Sequence, residues 1–384
     1  MLSPLVLAVA VAVAVAVAVA LAAPVAGAGE LDLGPQARAL AAVVACAPGG
    51  PPPAARFDAK VLAAHCRQMA LLERWWRKRW LSRAQPFLEK VVPGDLPSRI
   101  VYPFGGGDLL TALVTFPRAS EITTLSLEPA GDARTIDSVE PDDLDEALAD
   151  VRVMTSKLFA VAHSKTSVMR QMSKAKFPGE LALTLIALTL NDLEPVSVRY
   201  FRLGAGGELT YLTTEELAAA SGAASAAARA EPFANVEIAF RARGGDGETR
   251  LFRHISANLD DVHLAADPGV LRHLEAKGQV TAITKAASYL LWWRGFSEIR
   301  GYLLGHMVWM ISDSTGITPE HAGAAGFEQI PYGHFEGPFL RAAQKPSEAF
   351  QKLWASSLEP ISFRFGYPDV AGNSHLLITR HPKP

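Results

Sequence analysis

Residues 101–131 read VYPFGGGDLLTALVTFPRASEITTLSLEPAG, and this stretch decides the expected fold. A short apolar strand ends at Tyr102, three glycines break it, and Asp108 begins a capped helix. A second strand over 122–127 leads to Glu128, about 20 residues after the glycines. Together these elements form a Rossmann-like βαβ unit: a strand, a glycine turn, a helix, a second strand and an acid. Such a unit predicts a parallel sheet.

In a Rossmann-like unit the glycines let the backbone approach a ligand, and the acid binds a ribose hydroxyl. The candidate cofactor-binding residues are therefore Gly105, Gly106, Gly107, Asp108 and Glu128. The stretch resembles the first motif and the following acidic position of S-adenosylmethionine methyltransferases, a fold that a C-terminal hairpin would also suit. However, GGGD is not GxGxxG, and the alternative is a tight turn in which Asp108 only caps its helix.

A wider set of motifs resembles a family of exported bacterial proteins with a YPFxGxD…LEPxG pattern. The further motifs that carry this resemblance are Lys285–Leu290 (KAASYL), Phe296–Arg300 (FSEIR), Ser312–Ile317 (SDSTGI), Tyr332–Phe335 (YGHF) and Phe365–Tyr367 (FGY). The resemblance covers residues 75–380. It implies a shared fold and shared special positions, but it names no reaction. Relatives tend to show Asp-Asp-Ser-Gly where this chain has SDSTG.

The N-terminal segment predicts export. The first charged side chain is Glu30, an Ala/Val alternation fills residues 8–20, and the small residues 26–28 (AGA) form a cleavage site. We expect a signal peptide over 1–28, cleaved after Ala28; the alternative is an uncleaved membrane anchor. Either way the body would lie in the periplasm, in the cell envelope or outside the cell. Because S-adenosylmethionine and NAD are not ordinarily available there, we expect no cofactor.

Cys46 and Cys66 are the only cysteines of the chain. Helices are predicted over 35–46 and 58–84, joined by the Pro/Gly-rich linker 47–56. An exported protein permits a disulfide, which would staple this helical hairpin. The alternatives are two buried free thiols, or a lipid anchor on Cys46.

Composition limits the class of partner. The formal net charge of −2 gives no basic field for nucleic acid, and 49% hydrophobic residues indicate a folded core. We expect a signal peptide (1–28), a helical hairpin (29–97) and a single α/β domain (98–384). The mixed sheet of this domain would close with an antiparallel hairpin of 361–367 and 375–379.

Further elements follow from glycine turns and apolar periodicity. Two hairpins are predicted, pairing 196–203 with 209–213 and 236–243 with 249–256. Helices are predicted near 268–277, 284–294, 296–312, 338–344 and 347–357, with a Gly/Pro-rich loop over 314–337.

The helix over 58–84 ends in alternating cations and tryptophans. Arg74, Trp75, Arg77 and Lys78 could contact a membrane surface, which favours mixed basic and aromatic side chains. The alternative is an inward-facing tryptophan stripe with solvated cations that suit the helix C-terminus.

Asp313 and His334 are the candidate catalytic residues, because both fall near a helix end or in a loop. They could form an acid–base pair or bind a cation. Alternatively, Asp313 only turns the chain and His334 is a packed loop residue. A third polar cluster consists of His254, Asp260, Asp261 and His263. Its spacing does not match that of standard zinc sites, so no metal is expected.

These observations predict an exported protein that is ligand-binding or envelope-associated, with an unidentified small ligand beside the turn Gly105–Asp108. The alternative is an enzyme of methyltransferase-like fold, or a hydrolase, that uses Asp108, Glu128, Asp313 and His334.

Overall fold

The computed structural model describes residues 31–49, 56–161, 176–221, 225, 230–245, 247–339 and 347–382. The predicted signal peptide, most of the predicted linker and the greater part of the helix expected at 338–344 lie outside these residues. Within the described ranges every helix is too short or too polar to cross a bilayer.

Ten strands in the described part of the chain form one sheet, in the order β4-β3-β5-β6-β2-β1-β7-β8-β10-β9. They are β1 (Arg99–Pro103), β2 (Glu121–Ser126), β3 (Leu193–Leu203), β4 (Leu209–Tyr211), β5 (Val236–Ala242), β6 (Arg250–Ser256), β7 (Val280–Thr284), β8 (Met307–Ser312), β9 (Glu328–Gly333) and β10 (His375–Arg380). The five strands from β6 to β8 are parallel. The outer strands pair antiparallel. The chain is therefore an α/β protein with a mixed sheet, as predicted.

The helices cover both faces of this sheet, and the first three of them precede its first strand in the chain. They are α1 (Gly34–Val44), α2 (Ala59–Trp76), α3 (Ser82–Val91), α4 (Leu109–Thr115), α5 (Thr135–Ser138), α6 (Leu144–Val161), α7 (Gly179–Leu190), α8 (Thr214–Ser221), α9 (Asp261–Ala266), α10 (Gly269–Glu275), α11 (Ser297–His306), α12 (Pro319–Ala324) and α13 (Ser347–Trp354). A π-helical turn, Arg77–Leu81, joins α2 to α3, so the helix continues past residue 84, where the sequence predicted its end, as far as Val91.

The βαβ opening forms as predicted: β1 and β2 are parallel, with Ile100 opposite Ile122, and α4 connects them. From β1 the chain adds β2 and then β6 on one side, and later β7 and β8 on the other side. The order of the sheet therefore reverses between β1 and β7. In doubly wound sheets such a switch point opens a crevice at the carboxyl ends of the strands.

The N-terminal hairpin is stapled as predicted. Cys46 and Cys66 form a disulfide with their Cα atoms 5.6 Å apart. The hairpin is anchored on the sheet by the hydrogen bond that the Leu33 amide donates to the Val198 carbonyl, at 2.8 Å. Trp76 belongs to the same buried core as the sheet residues, so hairpin and sheet bury apolar surface together.

Two central strands were not predicted. β8 occupies the end of the helix predicted at 296–312, of which only Ser297–His306 is α-helical. β7 ends where the helix predicted at 284–294 would begin, and that region forms only two short 3-10 turns, Leu290–Trp292 and Arg294–Phe296. Nearly every residue of both strands is buried. A strand covered on both faces reads as a continuous apolar run rather than an alternating one, and such a run resembles a buried helix.

The C-terminal hairpin has a different partner from the predicted one. β10 lies between β8 and β9 and pairs antiparallel with both, whereas residues 361–367 form no strand. Phe363 and Phe365 are instead buried in the core. Their two-residue spacing imitates a strand, although the segment only packs against the sheet. The predicted hairpins β3–β4 and β5–β6 are confirmed.

Candidate functional site

The carboxyl edge, defined by the strand ends Pro103, Ser126, Thr284 and Ser312, brings most of the sequence motifs together. The glycine turn after β1 is buried there. A Cβ atom at Gly105 would lie 2.8 Å from Cγ of Tyr102, and one at Gly107 would lie 2.8 Å from Cδ1 of Leu183 on α7. These glycines are therefore required by close packing within the chain, and Gly107 packs against the N-terminal half of α7.

Asp108 caps α4, accepting a hydrogen bond from the hydroxyl of Thr111 at 2.9 Å. Its other oxygen accepts the hydroxyl of Tyr102 at 2.8 Å and pairs with Nζ of Lys285 at 2.7 Å. Asp108 is 1% exposed and Lys285 is 2% exposed. Burial, followed by the adjacent carboxylate, raises the pKa of Tyr102 well above its usual value. The ion pair therefore fastens the end of β1 to the end of β7, across the switch point.

Glu128 is half-buried beyond β2, and its carbonyl accepts a hydrogen bond from Nε2 of His254 at 2.7 Å. Close to it lies Glu180, on the first turn of α7 and only 4% exposed. Within the described residues, Oε1 of Glu180 has no hydrogen-bond partner. Burial raises the pKa of Glu180 well above its usual value, and the charges of Glu128 and Asp108 raise it further. Its surroundings therefore favour the uncharged form of the Glu180 carboxyl.

The sequence did not single out Glu180. It lies at the start of a nearly all-apolar helix, GELALTLIALTL, whose lone acid reads as an ordinary favourable charge at a helix N-terminus. The signal that could have found it is the acid's position within a helix that has no polar face. Gly131 of the LEPAG motif also meets this helix, because a Cβ there would overlap the ring of Pro178. Both glycine motifs thus converge on the N-terminus of α7.

Asp313, directly after β8, is fully buried and holds a loop in place. Its Oδ2 accepts the amides of Ala286 at 2.9 Å and Tyr367 at 2.8 Å. Its Oδ1 accepts the amide of Thr315 at 2.8 Å and that residue's hydroxyl at 2.5 Å. His334 is exposed, and its Nε2 lies 3.1 Å from Oε1 of Glu336. The two candidate catalytic residues therefore contact different partners.

The loop after β7 has an unusual backbone. Ala286, Ser288 and Tyr289 have positive φ angles of 52°, 51° and 61°, and Phe104, after β1, has 61°. Each non-glycine residue in this left-handed region costs about 1–2 kcal/mol. Strain of this kind persists only where surrounding contacts impose it. Here Asp313 supplies such a contact, because its Oδ2 accepts the amide of Ala286.

Other polar side chains of the sequence motifs and of the third polar cluster also have structural contacts. The hydroxyl of Tyr289 lies 3.3 Å from that of Ser314 and accepts the amide of Phe339 at 3.1 Å. The ring of Tyr332 packs edge-on against Phe87, at 5.2 Å between centroids. In the third polar cluster, Asp260 caps α9, Asp261 caps α11, and His254 is buried with its pKa lowered to about 4 by burial. Over the described ranges, three or more metal-ligating side chains do not gather at one point.

Comparisons of this chain with protein-family models, with curated proteins and with solved structures find no match.

Proposed function

We propose that this protein is exported and binds a small ligand at the carboxyl edge, between the ends of β1 and β7. The observation that carries the proposal is the strained backbone of Phe104, Ala286, Ser288 and Tyr289. Of the six non-glycine residues with positive φ in the described ranges, these four flank the point at which the sheet order reverses. Strained backbone clusters at ligand clamps and active sites, and doubly wound sheets bind ligands at this position.

The exposed side chains at this edge indicate the ligand's character. Leu127 follows β2, Trp293 follows β7 and Phe339 follows β9, with exposures of 68%, 49% and 44%. Small-molecule sites combine such apolar and aromatic surface with a few polar groups. Glu128 is the nearby half-buried acid that can accept hydrogen bonds. We therefore expect a ligand with an apolar or ring-shaped body and hydrogen-bond donors.

Binding is favoured over catalysis because the candidate acids already have partners. Both oxygens of Asp108 and both oxygens of Asp313 accept donors from the chain itself. A methyltransferase-like enzyme is supported by the order of the parallel strands and by β10, inserted antiparallel between β8 and β9. The packed glycine turn weighs against that alternative.

Export is supported by two features. The disulfide Cys46–Cys66 is consistent with an oxidising compartment. The uncharged segment 1–28 has the pattern of a signal peptide. The protein would therefore reside in the periplasm, in the envelope or outside the cell.

Native mass spectrometry of the protein recovered after export tests these points together. We expect a chain that starts after Ala28, carries one disulfide and retains a small co-purifying ligand. Trp293→Ala should reduce the retained ligand severalfold, whereas Trp75→Ala, a variant of a similarly exposed tryptophan on α2, should not. An intact 1–28 segment on a cytosolic protein would refute export. Equal retention by both variants would refute the carboxyl-edge site.

A second candidate function, attachment to a membrane surface, is favoured by one face of α2. Trp76 and Trp80 are buried, whereas Leu71 and Trp75 are 50% and 43% exposed. The cations Arg74, Lys78 and Arg79 are exposed beside them. Arg77 differs: it pairs with Glu73 at 2.7 Å and donates to the carbonyl of Leu190 at 2.8 Å. Apolar and aromatic side chains among cations suit an anionic bilayer.

Co-sedimentation with lipid vesicles tests this attachment. Each cation near an anionic surface contributes about 1 kcal/mol, so Lys78→Gln should weaken binding to phosphatidylglycerol vesicles about fivefold. Trp75→Ala should also weaken it, and Trp293→Ala serves as the matched control. Equal binding to phosphatidylcholine vesicles, or an effect of Trp293→Ala alone, would contradict the assignment.

A further inference from the structure

A cavity of about 410 Å³ lies at the opposite end of the sheet from the carboxyl edge. It lies between α3, the start of β1 and the C-terminal ends of α4 and α7. Its volume falls in the range of about 300–1,000 Å³ that is typical of small-molecule sites. This cavity shares no lining residue with the glycine turn or with the loop after β7.

The floor of the cavity is apolar. Leu88, Ile100, Leu113 and Phe116 line it and belong to the buried core, and Leu96 is half-buried at its side. These side chains come from α3, β1, α4 and the loop before β1, so the floor is held by the fold rather than by one mobile segment. An apolar ligand group would therefore meet a preformed surface, which reduces the entropy cost of binding.

The rim of the cavity carries two charges without partners. Arg118 and Asp192 both line it. Across the described residues, neither the guanidinium of Arg118 nor the carboxylate of Asp192 makes a hydrogen bond or an ion pair. The other charged groups of the rim have partners within the chain. Arg77 pairs with Glu73, and Glu89 accepts a hydrogen bond from the side-chain Nε2 of Gln85 at 2.9 Å.

The backbone at Asp192 is also unusual. Its φ angle is 54°, and its carbonyl accepts the amide of Arg243 at 2.9 Å. Aspartate and asparagine tolerate this left-handed conformation better than most residues. The position at the mouth of the cavity is therefore held by Arg243, the residue directly after β5, and the carboxylate remains at the rim.

We propose that this cavity binds an apolar zwitterion, namely a short apolar peptide or a free apolar amino acid. The ligand's carboxylate pairs with Arg118, its ammonium group pairs with Asp192, and its side chains contact the apolar floor. A cation and an anion without internal partners on one rim match the two termini of such a ligand, and charge-assisted hydrogen bonds to both termini give specificity. This site is independent of the one proposed at the carboxyl edge.

Isothermal titration calorimetry on the mature, disulfide-bonded protein tests the proposal. The probes are the dipeptide phenylalanyl-leucine, its C-terminal amide and its N-acetyl form. We expect the dipeptide to bind, and each blocked form to bind about tenfold more weakly or worse, because each loses one charge-assisted pair.

Two charge variants assign each terminus. With Arg118→Gln, the dipeptide and its amide should bind equally. With Asp192→Asn, which keeps the tolerance for left-handed backbone, the dipeptide and its N-acetyl form should bind equally. Leu96→Trp, which fills the cavity, should abolish binding, and Val262→Ala, at an exposed position on α9, should leave it unchanged. Thermal unfolding confirms that each variant is folded.

Four outcomes would overturn the proposal: no heat on titrating the dipeptide into the wild-type protein, equal affinity of all three probes, unchanged preferences in both charge variants, or full binding by a folded Leu96→Trp variant.

Discussion

The buried ion pair Asp108–Lys285 should stabilise the switch point strongly, and its removal can be predicted from the structure. Lys285→Met keeps a long, unbranched side chain but leaves Asp108 charged, 1% exposed and without its cation. Breaking a buried pair by removing one partner costs about 3–5 kcal/mol. That is a large part of the roughly 5–15 kcal/mol by which folded proteins are stable.

The paired variant separates the charge effect from the packing effect. In Asp108→Asn with Lys285→Met, the side-chain oxygen can still accept the hydroxyl of Tyr102, and no unpaired charge remains. We expect this double variant to recover about 2 kcal/mol relative to the sum of the single variants, within the range for contacting residues.

The assay is urea unfolding followed by tryptophan fluorescence, at neutral pH. Lys90→Met is the matched control, because Lys90 pairs with Glu359 at 2.8 Å but is 64% exposed. An exposed pair of this kind contributes about 0–1 kcal/mol. A cost below about 1 kcal/mol for Lys285→Met, or additive effects in the double variant, would refute the argument that this pair fastens β1 to β7.

Three further predictions concern stability. Replacing Cys46 and Cys66 with alanine should cost about 3 kcal/mol for the loop that the disulfide closes, and should lower the thermal midpoint only under non-reducing conditions. For Glu121, burial alone would raise the pKa, but two adjacent cations lower it from 4.5 to about 2. Because the pKa of Glu121 falls on folding, its contacts with these cations contribute about 3 kcal/mol to the stability of the folded state above pH 4.5. This contribution is lost as the pH falls toward 2. Urea titrations of Glu121→Gln should therefore show a weaker loss of stability in acid; an unchanged pH profile would contradict this. Gly131→Ala should destabilise by more than about 2 kcal/mol, because φ is +92° and the new Cβ would overlap the proline that it faces. Gly301→Ala, in open space on α11, should stabilise by up to about 1 kcal/mol, so equal effects of the two substitutions in thermal unfolding would exclude the packing argument.

Much of the fold follows from local sequence patterns. The βαβ opening, the hairpins β3–β4 and β5–β6 and the disulfide hairpin were all predicted, because turns, caps and half-buried periodicity are encoded within a few residues. β7 and β8 were missed because strands buried on both faces lose the alternation that identifies a strand. The pairing of β10 with β9 rather than with 361–367 depends on contacts distant in the chain.

The candidate site was likewise predicted only in part. The sequence singled out Asp108 and Asp313, and it placed Lys285 in the KAASYL motif. It did not show that Lys285 pairs with Asp108 or that Asp313 holds the loop Lys285–Tyr289. Glu180 was missed, because an acid at a helix N-terminus is ordinary until the helix is buried on all sides.

The sequence by itself determined the class of the fold, the disulfide and the glycine turn, since these depend on residues close together in the chain. Only the tertiary structure decided what the turn does. Packing of α7 against Gly107 places the buried acid Glu180 beside the glycine turn, and sequence alone does not specify which helix will cover a turn. The cavity beside Arg118 and Asp192 likewise forms only when segments distant in the sequence meet.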